Sequence, residues 1–203
     1  MATLLDADPL TVTHRAAQLR AVRRVQLASV SLWQLLDAAD LDAQAALWLE
    51  SQLELVLAGR AASVERATAY YSALRRSKLG FGVDAPPSDA AMPIDAMRAS
   101  LRIVGPVKVK QGIGRGLPPA RAMDNGLAGV QATTQRLVLN GGRSAVLNLM
   151  SREPGTVRYQ RVAGGKACRF CAMLAGRGPV YTATSGDFEA HDSCSCSAEP
   201  VFL

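Results

Sequence analysis

Five side chains able to bind a soft metal fall within 29 residues near the end of the chain, as Cys168-x2-Cys171-x19-His191-x2-Cys194-x-Cys196. They comprise all four cysteines and one of the two histidines. Two residues between Cys168 and Cys171 let both thiolates point at one centre, as in zinc ribbons and fingers. The segment His191-Asp-Ser-Cys194-Ser-Cys196 supplies the other half. Five donors then compete for four tetrahedral positions. The preferred ligand set is Cys168, Cys171, His191 and Cys196. Cys194 is the alternate, because side chains two apart point to opposite sides of an extended chain. Structural zinc is favoured over free thiols or a disulfide. A catalytic metal fits less well, since three or four thiolates leave no open position and no glutamate adjoins His191. A cysteine nucleophile would need His191 as its base and a thiol taken from a cluster spaced for metal. A serine triad built on Ser185 or Ser193 meets the same shortage of histidines.

These residues need a frame. The chain has 203 residues, 49% of them hydrophobic but only 5% aromatic. That apolar content is mostly Ala, Leu and Val, which favours helices. Residues 1–9 lack the basic and apolar regions of a secretory signal, and no apolar run is long enough to span a membrane. A cytosolic setting follows as the expectation, and there clustered Cys and His point to metal before disulfide. Charge is unevenly placed: −1 over residues 1–100, +9 over 101–166 and −2 over 167–203. The basic middle is a candidate for phosphate-backbone contact through Lys108, Lys110, Arg115 and Arg121. A solvated face or an acidic protein partner would account for the same charge.

Asp8-Pro9 is a helix start, with an N-cap aspartate and a proline at the first helical position. The helix runs to about Leu36, with Val12, Ala16, Leu19, Val22, Val30 and Trp33 on one side. His14 on it has no Cys, Asp or Glu at ligand spacing and reads as an ordinary histidine. A second helix is expected over about 43–58, stopping at Gly59, with Leu49, Leu53 and Val56 in one stripe and Trp48 and Leu55 on another side. A third follows over about 61–78, bearing Val64, Ala67, Tyr71 and Leu74. Gly80 to Pro93 is a break. Residues 100–109 suggest one or two short strands around Gly105-Pro106, followed by a mobile basic loop, Lys108 to Gly116. Its GxGxG lacks the spacing and the downstream acid of a dinucleotide fingerprint. A long amphipathic helix starts at Pro118-Pro119, with Met123, Leu127, Val130, Thr134 and Leu137 in its stripe. Asn140-Gly141-Gly142 ends or kinks it, and a short helix to about Met150 follows. Pro154-Gly155 is a turn, Val157 to Val162 alternates as a strand, and Arg177 to Thr182 turns into another.

The fold class expected is α+β, predominantly α-helical. It divides into a helical unit (1–80), a linker with short strands and the basic glycine-rich loop (81–117), and a C-terminal domain (118–203) whose lobe is a β-hairpin-like zinc knuckle. The run Val157 to Tyr181, then Ala190-His191-Asp-Ser-Cys194-Ser-Cys196 and Glu199-Pro200-Val-Phe202, resembles the C-terminal motif of Mu F-like minor capsid proteins of tailed bacteriophages, in the versions found in phages of actinobacteria. Asn140-Gly-Gly-Arg143 and the helical N-terminal region are similar more loosely. Where that family commonly has Pro-Asn inside the His-x-x-Cys-x-Cys motif, this chain has Asp192-Ser193. The resemblance implies a virion component inside the capsid or at the portal vertex. It would associate with portal and capsid proteins and serve head assembly and DNA packaging or exit, with packaged double-stranded DNA as a non-specific neighbour. Such proteins often carry the label of capsid maturation protease. This chain shows no convincing catalytic constellation, so a non-enzymatic role is expected, with a protease using Cys or Ser and His191 as the alternative.

Overall fold

The computed structural model describes residues 6–88, 92–153, 157–164, 167–184, 188 and 190–203. The Pro154-Gly155 turn, Lys166 and Ser185 lie outside them. The structure is mostly helical with one small sheet, the α+β class that composition and patterning imply.

Helix α1 spans Pro9–Trp33, and the Asp8 side chain caps it by accepting from the Leu10 N–H at 2.9 Å. Its buried face is Thr11, Gln18, Ala21, Val22, Val25, Ser29 and Trp33, rotated from the expected stripe; Val12 is exposed. Three polar residues occupy that face because each meets a partner inside. Thr11 bonds the Tyr70 hydroxyl, and Gln18 donates to the Ser63 carbonyl. Ser29 donates to Gln52, which donates to Thr134.

Helix α2 runs unbroken over Leu41–Leu79, where two helices were expected. Gly59 does not stop it. A Cβ there would stand 2.8 Å from Val25 and 3.1 Å from Val138, so the glycine marks a close approach to α2 of α1 and of the later helix that carries Val138. The expected stripe Leu49, Leu53, Val56, Val64, Ala67, Tyr71 and Leu74 is buried along the whole length. Arg75 leaves the solvent to grip Glu153 through two guanidinium nitrogens, at 2.7 and 3.0 Å.

No strand forms over residues 100–109. Helix α3 (Ile94–Arg102) passes through a π-helical turn, Ile103–Val107, into helix α4 (Lys108–Gly114). Gly105-Pro106 bends a helical path and separates no strands: Gly105 sits at φ −96°, ψ −107°, and Pro106 has no N–H to give the ladder. Of the apolar residues that suggest strands, Leu101 and Val109 are fully buried from helical positions, Val107 is half-buried and Ile103 is exposed. The expected mobile loop is therefore mostly α4. Gly116 closes it at φ +87°, with Leu117 N bonding Gly112 O and Gly116 N bonding Ile113 O, a Schellman turn.

Helix α5, Pro119–Met150, continues through Asn140-Gly141-Gly142. It is the central helix, packed on α1, α2 and α4. The last strands are β1 (Val157–Val162) and β2 (Ser197–Phe202), antiparallel with Tyr159 opposite Pro200. Tyr181 adds a single bridge to Tyr159 rather than a full strand. Helix α6, Arg169–Ala175, lies between them in sequence. One buried cluster joins Val64 to Leu74 of α2, Ala145 to Met150 of α5, Tyr159, Cys171, Cys194 and Cys196. No described helix is long and apolar enough to cross a membrane.

Candidate metal centre

The first cysteine pair sits on a helix end, where a hairpin was expected. Cys168 is the N-cap of α6, and its sulfur accepts from the Cys171 N–H at 3.4 Å. That bond, with help from His191, lowers the Cys168 thiol to about 7. Cys171 points from the first turn of α6 into the protein, and burial pushes its thiol up to about 12.

His191 closes on this pair from the opposite side. Its Nε2 stands 3.0 Å from the Cys168 sulfur and 3.4 Å from the Cys171 sulfur. Its Nδ1 lies 2.6 Å from the Asp192 carbonyl oxygen, which can only accept, so Nδ1 carries the proton and Nε2 offers a lone pair to the sulfurs. That carbonyl, joined by Cys168, holds the His191 pKa above its usual value.

Cys194 and Cys196 do not diverge. The segment 194–196 precedes β2 and is not a strand, so the alternation expected of extended chain does not apply. Both are buried, and the Cys194 sulfur is 3.6 Å from that of Cys171. The donor atoms form two groups sharing Cys171, namely Cys168, Cys171 and His191, and Cys171, Cys194 and Cys196, each with all atoms within 4.8 Å of one another. Such a cluster can hold a metal ion. At 3.6 Å the nearest sulfurs are too far apart for a disulfide, whose S–S bond is about 2.05 Å. All four cysteines are free. Cys194 falls to about 4, through its bond with Cys196 and the charge of Arg143, while Cys196 is pushed up by the same bond and by burial.

Residues with no obvious sequence signal fasten this cluster to the helices. Arg143 of α5, only 5% exposed, donates to the carbonyls of Cys194 (3.0 Å) and Cys196 (2.9 and 3.1 Å) and to Asn140 Oδ1 at 2.7 Å. Arg15 of α1 donates to the Ser195 carbonyl at 3.0 Å and the Ser195 hydroxyl at 2.9 Å. Asp192 accepts from Arg136 at 2.6 Å and Thr133 at 3.1 Å. Thr133, Arg136, Asn140 and Arg143 step along one face of α5, which holds Asp192, Cys194 and Cys196 while Arg15 holds Ser195 from α1. The hint was available for Arg143, the one charged residue between Arg136 and Arg152. Arg15 and Asp192 offered none.

The four cations expected to touch nucleic acid are all exposed, on α4 and at the start of α5. Lys110 is spent on Asp42 at 2.7 and 2.8 Å.

A model of the VG15 protein family matches residues 6–203. The chain belongs to this family of phage proteins. Searches of curated proteins and of solved structures each returned no significant match.

Proposed function

We propose that this VG15-family chain is a minor head protein of the phage, acting near the portal in capsid assembly and in DNA packaging or ejection. In this reading a structural zinc ion staples its C-terminal lobe. One observation carries the metal: donors from α6 and from the His191–Cys196 loop converge at 3.0, 3.4 and 3.6 Å. Tetrahedral zinc with ordinary bond lengths spaces nitrogen and sulfur ligands by ~3.6 Å and two sulfurs by ~3.8 Å. The ligands proposed are Cys168, Cys171, His191 and Cys194. Cys194 takes the fourth place because its sulfur stands 3.6 Å from that of Cys171, close to the spacing of two sulfurs on one tetrahedral zinc. Zinc there would tie α6 to the following loop and supply folding energy to a lobe whose sheet has only two strands. The head role is supported by the phage family and by the Mu F-like pattern of residues 157–202.

The 3.0 Å approach of His191 to Cys168 supports a second reading, a maturation protease with Cys168 as nucleophile. Against it, the same Nε2 faces a second thiol at 3.4 Å, an arrangement suited to a shared ion.

Metal analysis of the purified protein and of three variants separates them. The zinc reading expects one zinc per chain, lost in Cys194→Ser and in His191→Ala and kept in Cys196→Ser. His191→Ala should also loosen the C-terminal lobe. A protease would give a folded, inactive His191→Ala protein, and a zinc-free, well-folded wild type would sink the metal reading.

A further inference from the structure

At the turn between α1 and α2 an apolar groove of about 310 Å3 lies open, lined by Leu32 of α1, by Leu35 and Leu36 just after it, and by Ala43, Leu47 and Trp48 from α2. Leu35 is 73% exposed and Leu47 is 77% exposed, the most open leucines of this region. Two leucines left this open beside a concave apolar wall are what a protein-docking surface looks like before its partner arrives.

The surrounding charge selects the partner. Between Arg24 and Arg60 the sequence has five acids, Asp37, Asp40, Asp42, Glu50 and Glu54, and no lysine or arginine. Lys110 neutralises Asp42, and Arg98 neutralises Glu50. Asp37 and Asp40, in the turn beside the groove, and Glu54, further along α2, remain exposed with no ion pair among the described residues. An acidic rim repels nucleic acid and anionic lipid and attracts cations. One wall is the end of α1 at Leu32 with the turn after it, which carries Leu35 and Leu36, and the other is the start of α2, with Ala43, Leu47 and Trp48 at helical spacing. A partner helix laid in that trough with its apolar side inward covers Leu35 and Leu47.

We infer that the α1–α2 groove docks an amphipathic helix of a partner protein, leucine-like on its inner face and flanked by lysine or arginine that meet Asp37 and Asp40. The site is separate from the metal cluster. Arg15, which holds the Cys lobe, and Leu32, which lines the groove, are seventeen residues apart on α1, about 25 Å at the helical rise.

The test uses the full chain and a labelled synthetic helix of about five turns, with leucines at i, i+3, i+4 and i+7 and lysines beside them. A matched peptide carries glutamate in place of lysine. Fluorescence anisotropy should show saturable binding of the lysine peptide, weaker at high salt, and about tenfold or more weaker binding of the glutamate peptide. The variants Leu35→Lys/Leu47→Lys and Asp37→Lys/Asp40→Lys should each lower affinity for the lysine peptide about tenfold or more, with unchanged helical circular dichroism and metal content. Equal binding of both peptides, no binding of either, or variants that bind like wild type would overturn the inference. So would a concentration-dependent dimer of the chain alone that Leu47→Lys abolishes, since the occupant would then be a second copy.

Discussion

A guanidinium that is almost fully buried must find acceptors, and Arg143 finds them in the backbone carbonyls of two cysteines. A lysine at the same place has no planar fork to span both carbonyls. Arg143 thus fixes where Cys194 and Cys196 stand before any ion arrives, the role that residues behind metal ligands commonly play. His14 shows the opposite response to burial. Its ring stacks on Tyr70 at 4.3 Å, and burial drops its pKa to about 4 from an ordinary 6.5. The sign follows directly. As pH falls through 6.5 the unfolded chain takes this proton and the folded chain does not, so stability is lost between pH 6.5 and about 4 and is level below. The loss has an upper bound of about 3 kcal/mol at 1.36 kcal/mol per unit. His14→Phe keeps the stack and removes the proton. Urea melts from pH 7 down to pH 4 should show the variant gaining on wild type as pH falls, and a constant difference would contradict the neutral buried ring. Protons taken up by the Cys cluster are common to both proteins and cancel. Ser193 completes this scale. Its φ of +63° lies in the region that asparagine tolerates better than serine. That the four cysteines and His191 come together was legible in their spacing. The holding residues were not, because Arg15 and Asp192 act through chain segments more than fifty residues away.

At the level of elements, the sequence was legible where pattern and burial agree and misleading where glycine and proline were taken as punctuation. The α2 stripe from Leu49 to Leu74 was readable because every member is apolar. The α1 face was not, because Thr11, Gln18 and Ser29 are buried on it and find their partners on other helices. Gly59, Gly105, Gly141 and Gly142 were taken as breaks, yet all lie within continuous helical paths and serve close packing. Gly141 gives a decisive test, because two effects oppose each other there. Alanine in a helix interior is favoured over glycine by roughly 0.5–1 kcal/mol. The added Cβ, however, would stand 2.6 Å from Arg60 Cγ and 3.0 Å from the Arg60 carbonyl oxygen, and the backbone atom cannot swing aside. Overpacking of this kind costs typically 1–3 kcal/mol, so packing wins. Gly141→Ala should destabilise by roughly 1–2 kcal/mol in denaturant melts, the overpacking cost less the propensity gain. A stabilised variant would mean that α2 and α5 can move apart at this point.

Over the whole molecule, the basic block is smaller on the surface than in the sequence. Of the eleven cations between residues 101 and 166, Arg143 and Arg161 are buried. Arg136 is paired with Asp192, and Lys110 with Asp42. Arg102, Lys108, Arg115, Arg121, Arg152 and Arg158 remain exposed, with no ion pair among the described residues, and the eleventh, Lys166, lies outside those residues. Counting letters overstates the field because a cation that anchors the Cys loop or crosses to α2 is not offered to a phosphate. This limits what these six cations can give toward duplex DNA. Each phosphate neutralised contributes about −0.9 to the slope of log affinity against log salt, so the six contribute a slope of about −5 at most. Arg115 and Arg121 are the sharpest probes, since they lie near the junction of α4 and α5 and neither holds the fold together. The double variant Arg115→Ala/Arg121→Ala should flatten the slope by about two and weaken binding evenly across unrelated duplexes. An unchanged slope would place the phosphates elsewhere on the surface, and a wild-type slope near zero would remove DNA contact from the protein's role and leave the exposed cations to an acidic protein neighbour.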